Sequence, residues 1–84
     1  MQPYPKPIKT RKAVLIFLKI VGPPLILYVD DPDLLYAEIR QLIMTASSVS
    51  PKLIEKTGKG PLKKLSFLDS QIAGVAMQEE AFMQ

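Results

Sequence analysis

The run AVLIFLKIVGPPLILYV, Ala13 to Val29, limits the possible folds more than any other part of the chain. It is as apolar as a membrane anchor, yet it is shorter than the ~20 apolar residues that a spanning helix needs and carries Lys19 at its middle. Pro23 and Pro24 would each remove a helical hydrogen bond, and Gly22 loosens the backbone beside them. No transmembrane segment is therefore expected. The two flanking blocks, AVLIFLKIV and LILYV, are aliphatic, β-branched and aromatic, which predicts two strands joined at Gly22-Pro23-Pro24. Pro24 then opens the second strand, where a missing N–H is tolerated.

Side chains alternate across a strand, so Val14, Ile16, Leu18 and Ile20 share one face while Leu15, Phe17, Lys19 and Val21 share the other. In the second strand Leu25, Leu27 and Val29 oppose Ile26 and Tyr28. Neither face is polar, so something must cover both.

Asp30-Asp31-Pro32-Asp33 follows at once. Asp31 is placed to cap a helix, Pro32 suits its first position, and the acidic side chains complement the positive end of the helix dipole. The helix is predicted to run to about Ala46, with Leu35, Ile39, Leu42, Ile43 and Ala46 forming one apolar stripe. A cation site at the three aspartates is the alternative, but such loops need more ligands at fixed spacing and a turn glycine among them. No metal and no cofactor is expected.

After the polar connector Ser47–Pro51, KLIEKT and LKKLSFLD read as strands around a Gly58-Lys59-Gly60-Pro61 turn, giving a second hairpin from Leu53 to Phe67. Gln71–Gln78 reads as a last strand with Gly74 at a bulge or close approach, a helical turn being the alternative. The expected fold class is α+β: a small antiparallel sheet in the order β-β-α-β-β, with a possible fifth strand, packed on one helix. The domain spans residues 13–78. Residues 1–12, with Pro3, Pro5, Pro7 and the four basic side chains Lys6, Lys9, Arg11 and Lys12, are expected to be a flexible arm, and residues 79–84 a tail. The arm lacks the apolar stretch of a secretory signal.

Composition excludes much chemistry. The 84 residues contain no cysteine and no histidine, which removes disulfides, thiolate nucleophiles, the commonest general base and the commonest metal ligand. Ser66, Ser70, Thr57 and Tyr36 lack a base to activate them, so the expectation is a protein that is not an enzyme.

The segments PPLILYV, LLYAEIRQLI, PKLIEKT and KKLSFLDSQIAGVAM, across about positions 23 to 77, resemble in element order a family of short uncharacterised proteins of cyanobacteria and algal plastids. The resemblance implies an α+β fold and a cytoplasmic or plastid-stromal setting, and it brings no activity with it. The chain departs from that family in its Pro/Lys arm and in its EEAFMQ tail.

Two surfaces remain. The second sheet face, with Leu15, Phe17, Ile26 and Tyr28 as the interface residues, implies a protein-interaction module that uses this face or an exposed strand edge to bind a partner protein or itself as a homodimer, unless the sheet curls into closure. Alternatively, Lys56, Lys59, Lys63 and Lys64 of the second hairpin form a basic surface for nucleic acid, although a net charge of +3 is mild and no aromatic is interleaved among them for base stacking. The basic arm also suits an anionic lipid surface, more weakly.

Overall fold

A computed structural model describes residues 9–82. Strand β1 (Lys9–Leu18) leads to the short β2 (Leu25–Leu27), then to helix α1 (Pro32–Thr45). The hairpin strands β3 (Leu53–Thr57) and β4 (Lys64–Leu68) follow, and a single 3-10 turn, Asp69–Gln71, feeds β5 (Ile72–Phe82). This is a small α+β fold, as the sequence predicts, but its strands form two antiparallel sheets. One has the order β2-β1-β5, and the other is the β3–β4 hairpin.

The main partner of β1 is β5, not β2. The β1–β5 ladder runs from Lys9 opposite Phe82 to Leu18 opposite Ile72, whereas β2 meets β1 only from Val14 opposite Leu27 to Ile16 opposite Leu25. Two expectations are corrected by this pairing. Lys9–Lys12, assigned to a flexible arm, are the first residues of β1, and Glu79–Phe82, assigned to a tail, are the last of β5. Lys12 faces Glu79 and Arg11 faces Glu80 across the ladder, so opposite charges extend both strands past the apolar core. The rest of the expected arm and tail, residues 1–8 and 83–84, lies outside the described residues.

The first strand also ends earlier than predicted. Lys19–Pro24 form an irregular connection in place of a tight Gly-Pro-Pro turn; the Lys19 N–H donates to the Gln71 carbonyl at 2.8 Å, and Gly22 takes a φ of +158°, which L side chains rarely adopt. At the far end β2 stops at Leu27 because the Tyr28 carbonyl accepts from the Lys59 N–H of the second hairpin at 2.7 Å.

Helix α1 starts as its sequence dictates. Asp31 Oδ1 accepts from the Leu34 N–H at 3.1 Å, and Pro32 occupies the first turn. Leu35 and Ile39 are buried, with Leu42 and Ile43 packed beside them. The helix and the inward residues of the hairpin, Leu65 and Phe67, share one core with Val14, Ile16, Leu27 and Ile72. Helix and hairpin thus both cover the same side of the three-stranded sheet.

The two arms of the hairpin are clamped together at its open end. Asp69, almost fully buried, accepts from the Lys52 N–H through Oδ1 at 2.9 Å, while its own N–H donates to the Lys52 carbonyl at 3.0 Å. This reciprocal pair satisfies a carboxylate that would otherwise be costly to bury. Gln71–Gln78, left between strand and helical turn, resolves into the last residue of the 3-10 turn followed by strand. The ladder irregularity falls between Phe17 and Leu18, opposite Ile72–Gly74, so it is Ala73 that is left without a partner.

Candidate functional site

With Val14 and Ile16 turned inward, Leu15 and Phe17 must turn outward. The register sets Leu15 between Ile26 of β2 and Ala76 of β5, and Phe17 beside Gly74. Phe17 and Ile26 remain 38% and 39% exposed. A Cβ added to Gly74 would meet nothing within 4 Å, so an open notch lies beside the Phe17 ring. Ile20 and Val21, in the connection that follows β1, are exposed as well. Three of the four expected interface residues therefore form one strip on the side away from the helix.

Tyr28, the fourth, is on the same side but engaged within the fold. Its hydroxyl donates to the Glu80 carboxylate, 3.0 Å from Oε2, and the guanidinium carbon of Arg11 lies 4.0 Å from the ring centroid. Arg11 Nε is itself 3.4 Å from Glu80 Oε2. Because Val14 faces Leu27, Ala13 is level with Tyr28, and the ring must cross β1 over Ala13 to reach Glu80 on β5. That explains why Ala13 is fully buried on a face otherwise open to solvent. The β3–β4 turn closes on the same ring: a Cβ at Gly60 would lie 2.3 Å from Tyr28 Cδ2. Arg11, Ala13, Gly60 and Glu80 escape a reading of the sequence because their shared partner is reached from four separate segments.

Partial burial first, and then the Glu80 carboxylate, raise the Tyr28 phenol above its usual value, with Arg11 opposing. The neutral phenol donates to Glu80, so its contribution to stability is complete below the ordinary tyrosine value of about 10 and is lost as pH rises through the raised folded value. Absorbance titration of the three tyrosines is expected to contain a step above the ordinary value. Tyr28→Phe should abolish that step and Glu80→Gln should lower it; a titration unchanged by either substitution would contradict the contact.

Between β2 and the hairpin turn runs an apolar groove of about 270 Å³, walled by Pro24, Leu25, Ile26, Tyr28, Pro61 and Leu62. It adjoins the strip at Ile26. Its walls offer a single side-chain polar group, the Tyr28 hydroxyl, which is already committed to Glu80, so the groove is suited to apolar contact and not to chemistry.

The four lysines of the alternative site do not converge as a free basic patch. Lys56 pairs with Glu38 on α1 at 2.5 Å, Lys59 with Asp30, and Lys64 with Glu55 at 3.3 Å, while Lys63 Nζ donates to the Lys59 carbonyl at 3.1 Å. Such exposed pairs contribute only about 0–1 kcal/mol each, yet they place a carboxylate beside three of the four positive charges. Asp31, offered as a cation ligand in the alternative reading, is occupied by the helix cap. Among the described residues no cluster of three or more metal-ligating side chains is present, and no helix is long and apolar enough to cross a membrane.

These features define a small α+β domain with an apolar sheet face that no element among the described residues covers. Comparison with protein families, with curated proteins and with solved structures finds no match to the chain.

Proposed function

We propose that the chain is a non-enzymatic protein-interaction module whose outer sheet face, centred on Leu15, Phe17 and Ile26, takes up a protein partner. The observation that carries this reading is the juxtaposition of Phe17 and Ile26, each more than one-third exposed, on a face that neither α1 nor the hairpin strands cover. Apolar side chains scattered singly on a surface need no explanation, but here neighbouring strands align them. The groove at Pro24 and Pro61 gives a partner side chain somewhere to insert, as an energetically central contact requires. Tyr28 supports the strip from one end without being free to rearrange. A cytoplasmic or plastid-stromal setting, and kinship with the short proteins whose element order this chain resembles, belong to the same proposal.

The test compares proteins retained from native-host extract by the full chain and by Phe17→Asp and Ile26→Asp variants, at low and high salt. One protein held at high salt by the unaltered chain, and lost with either variant while its circular dichroism is preserved, is expected. The sites are exposed enough to hydrate a carboxylate, so the fold should survive. Retention unchanged by both variants would remove the outer face from consideration. Salt-labile capture of nucleic acid, abolished by changing Lys56, Lys59, Lys63 and Lys64 to glutamine, would replace this reading with the basic-hairpin alternative.

A further inference from the structure

We infer that the free edge of β5 joins the chain to a second copy of itself, with the two β5 strands antiparallel about a two-fold axis at Met77. This goes beyond the partner-binding proposal and does not depend on it, because it uses the backbone edge and not Phe17 or Ile26.

β5 is the longest strand, 11 residues, and lies at the end of the order β2-β1-β5, so it is paired on one side only. Among the described residues it makes no backbone hydrogen bond to any element except β1. Alternate N–H and C=O groups along its length therefore point outward with no strand among the described residues to meet them. Native proteins blunt such edges with shortness, lysines, prolines, bulges or a covering segment. The chain does this at every other edge. β2 has three residues and is closed at its end by the Lys59–Tyr28 hydrogen bond, while β3 and β4 carry Lys56 and Lys64. β5 has one irregularity near its start, opposite Phe17/Leu18, and from Gly74 to Gln78 it has neither charge nor proline.

Charge selects the occupant and the register. Pairing two β1 strands about their exposed ends would bring Lys9, Arg11 and Lys12 of one copy against those of the other. A two-fold axis at Met77 instead engages Gly74 to Glu80, the part of β5 beyond the irregularity at Ala73, and puts Glu79 opposite Val75 and Glu80 opposite Gly74 of the second copy, so no like charges face each other. Ala76 then faces Gln78, a small side chain against an uncharged one, so the edges can approach. Residues pointing outward pair with residues pointing outward, so the two Leu15-Phe17-Ile26 strips lie on one side of a continuous sheet ordered β2-β1-β5-β5-β1-β2.

Sedimentation of the full chain at micromolar concentrations and above should give twice the 9.4 kDa chain mass. The double variant Ala76→Lys/Gln78→Lys, changed only outside the core, places lysines against lysines across the axis and should return the mass to 9.4 kDa. The variant Ala76→Glu/Gln78→Glu should behave alike, and an equimolar mixture of the two should restore the dimer. Since the chain has no cysteine, Met77→Cys reports register directly: it should form an intermolecular disulfide on mild oxidation, and Ala73→Cys should not. A single-chain mass for the unaltered protein would overturn the inference, as would an oligomer that persists in the lysine variant or a cross-link formed by Ala73→Cys but not by Met77→Cys. A chain that stays monomeric yet adds a foreign extended peptide along β5 would also overturn it. Capture by the outer face is read separately with Phe17→Asp, so either idea can fail while the other stands.

Discussion

Ile16→Ala is expected to lower stability by about 2–5 kcal/mol, the range for truncating a fully buried Ile in a core that collapses only partly around the cavity. Ile16 is fully buried on β1, the central strand, between Leu25 of β2 and Val75 of β5, and belongs to the core that β1 shares with α1 and the hairpin. For a domain near this size the total stability is roughly 4–13 kcal/mol, so the substitution removes a large fraction of it. Thermal unfolding followed by circular dichroism should show a midpoint lowered by ~10–30 °C. Phe17→Ala, one residue away on the outer face, should cost markedly less because its ring already meets solvent. Equal losses at the two positions would mean that the outer face is as well packed as the inner one, and would count against an interface there.

That contrast between adjacent residues also marks where the sequence could be read and where it could not. Local signals were clear. Asp31-Pro32 opened α1, the i, i+4 spacing of Leu35 and Ile39 gave its buried face, and Gly58–Pro61 turned the second hairpin. The alternation in β1 separates Val14 and Ile16 from Leu15 and Phe17 as burial does, so the outer strip is legible from the strand pattern alone. What remained hidden was pairing between distant segments. Lys9–Lys12 and Glu79–Phe82 have no apolar period of their own; each becomes strand because the other is present, about 70 residues away along the chain, and such pairing leaves no local pattern. The same reason applies to Tyr28, which alternation offers to a partner but which instead meets Arg11, Glu80 and Gly60. Its position on the outer side followed from alternation, but its occupation by contacts within the chain did not. Asp69 is a further case: a polar residue in a short break becomes a buried clamp because Lys52 presents both of its backbone groups to it.

The Tyr28 cluster supplies the second large effect. Gly60→Ala is expected to destabilise the fold by about 1–3 kcal/mol, the usual cost of forcing extra volume into packed surroundings. Gly60 has no positive φ, so the backbone would accept alanine, and the cost is steric. The added Cβ would stand 2.3 Å from Tyr28 Cδ2 and 2.9 Å from Cε2, atoms of a rigid ring that cannot swing aside as a flexible chain would. The ring is restrained on its other sides by Arg11 and Glu80, so relief requires Tyr28 to leave its place over Ala13. Displacement should break the hydroxyl contact to Glu80, lower the raised phenol step toward its ordinary value and open the end of the outer strip. Repeating the change in a Tyr28→Ala background distinguishes this route from any general effect on the turn. Without the ring nothing obstructs the methyl group, and the cost of Gly60→Ala should nearly vanish, giving an interaction energy close to the single-substitution cost. Strictly additive losses across the four proteins would show that Gly60 is needed for the turn itself and that the ring contact is incidental.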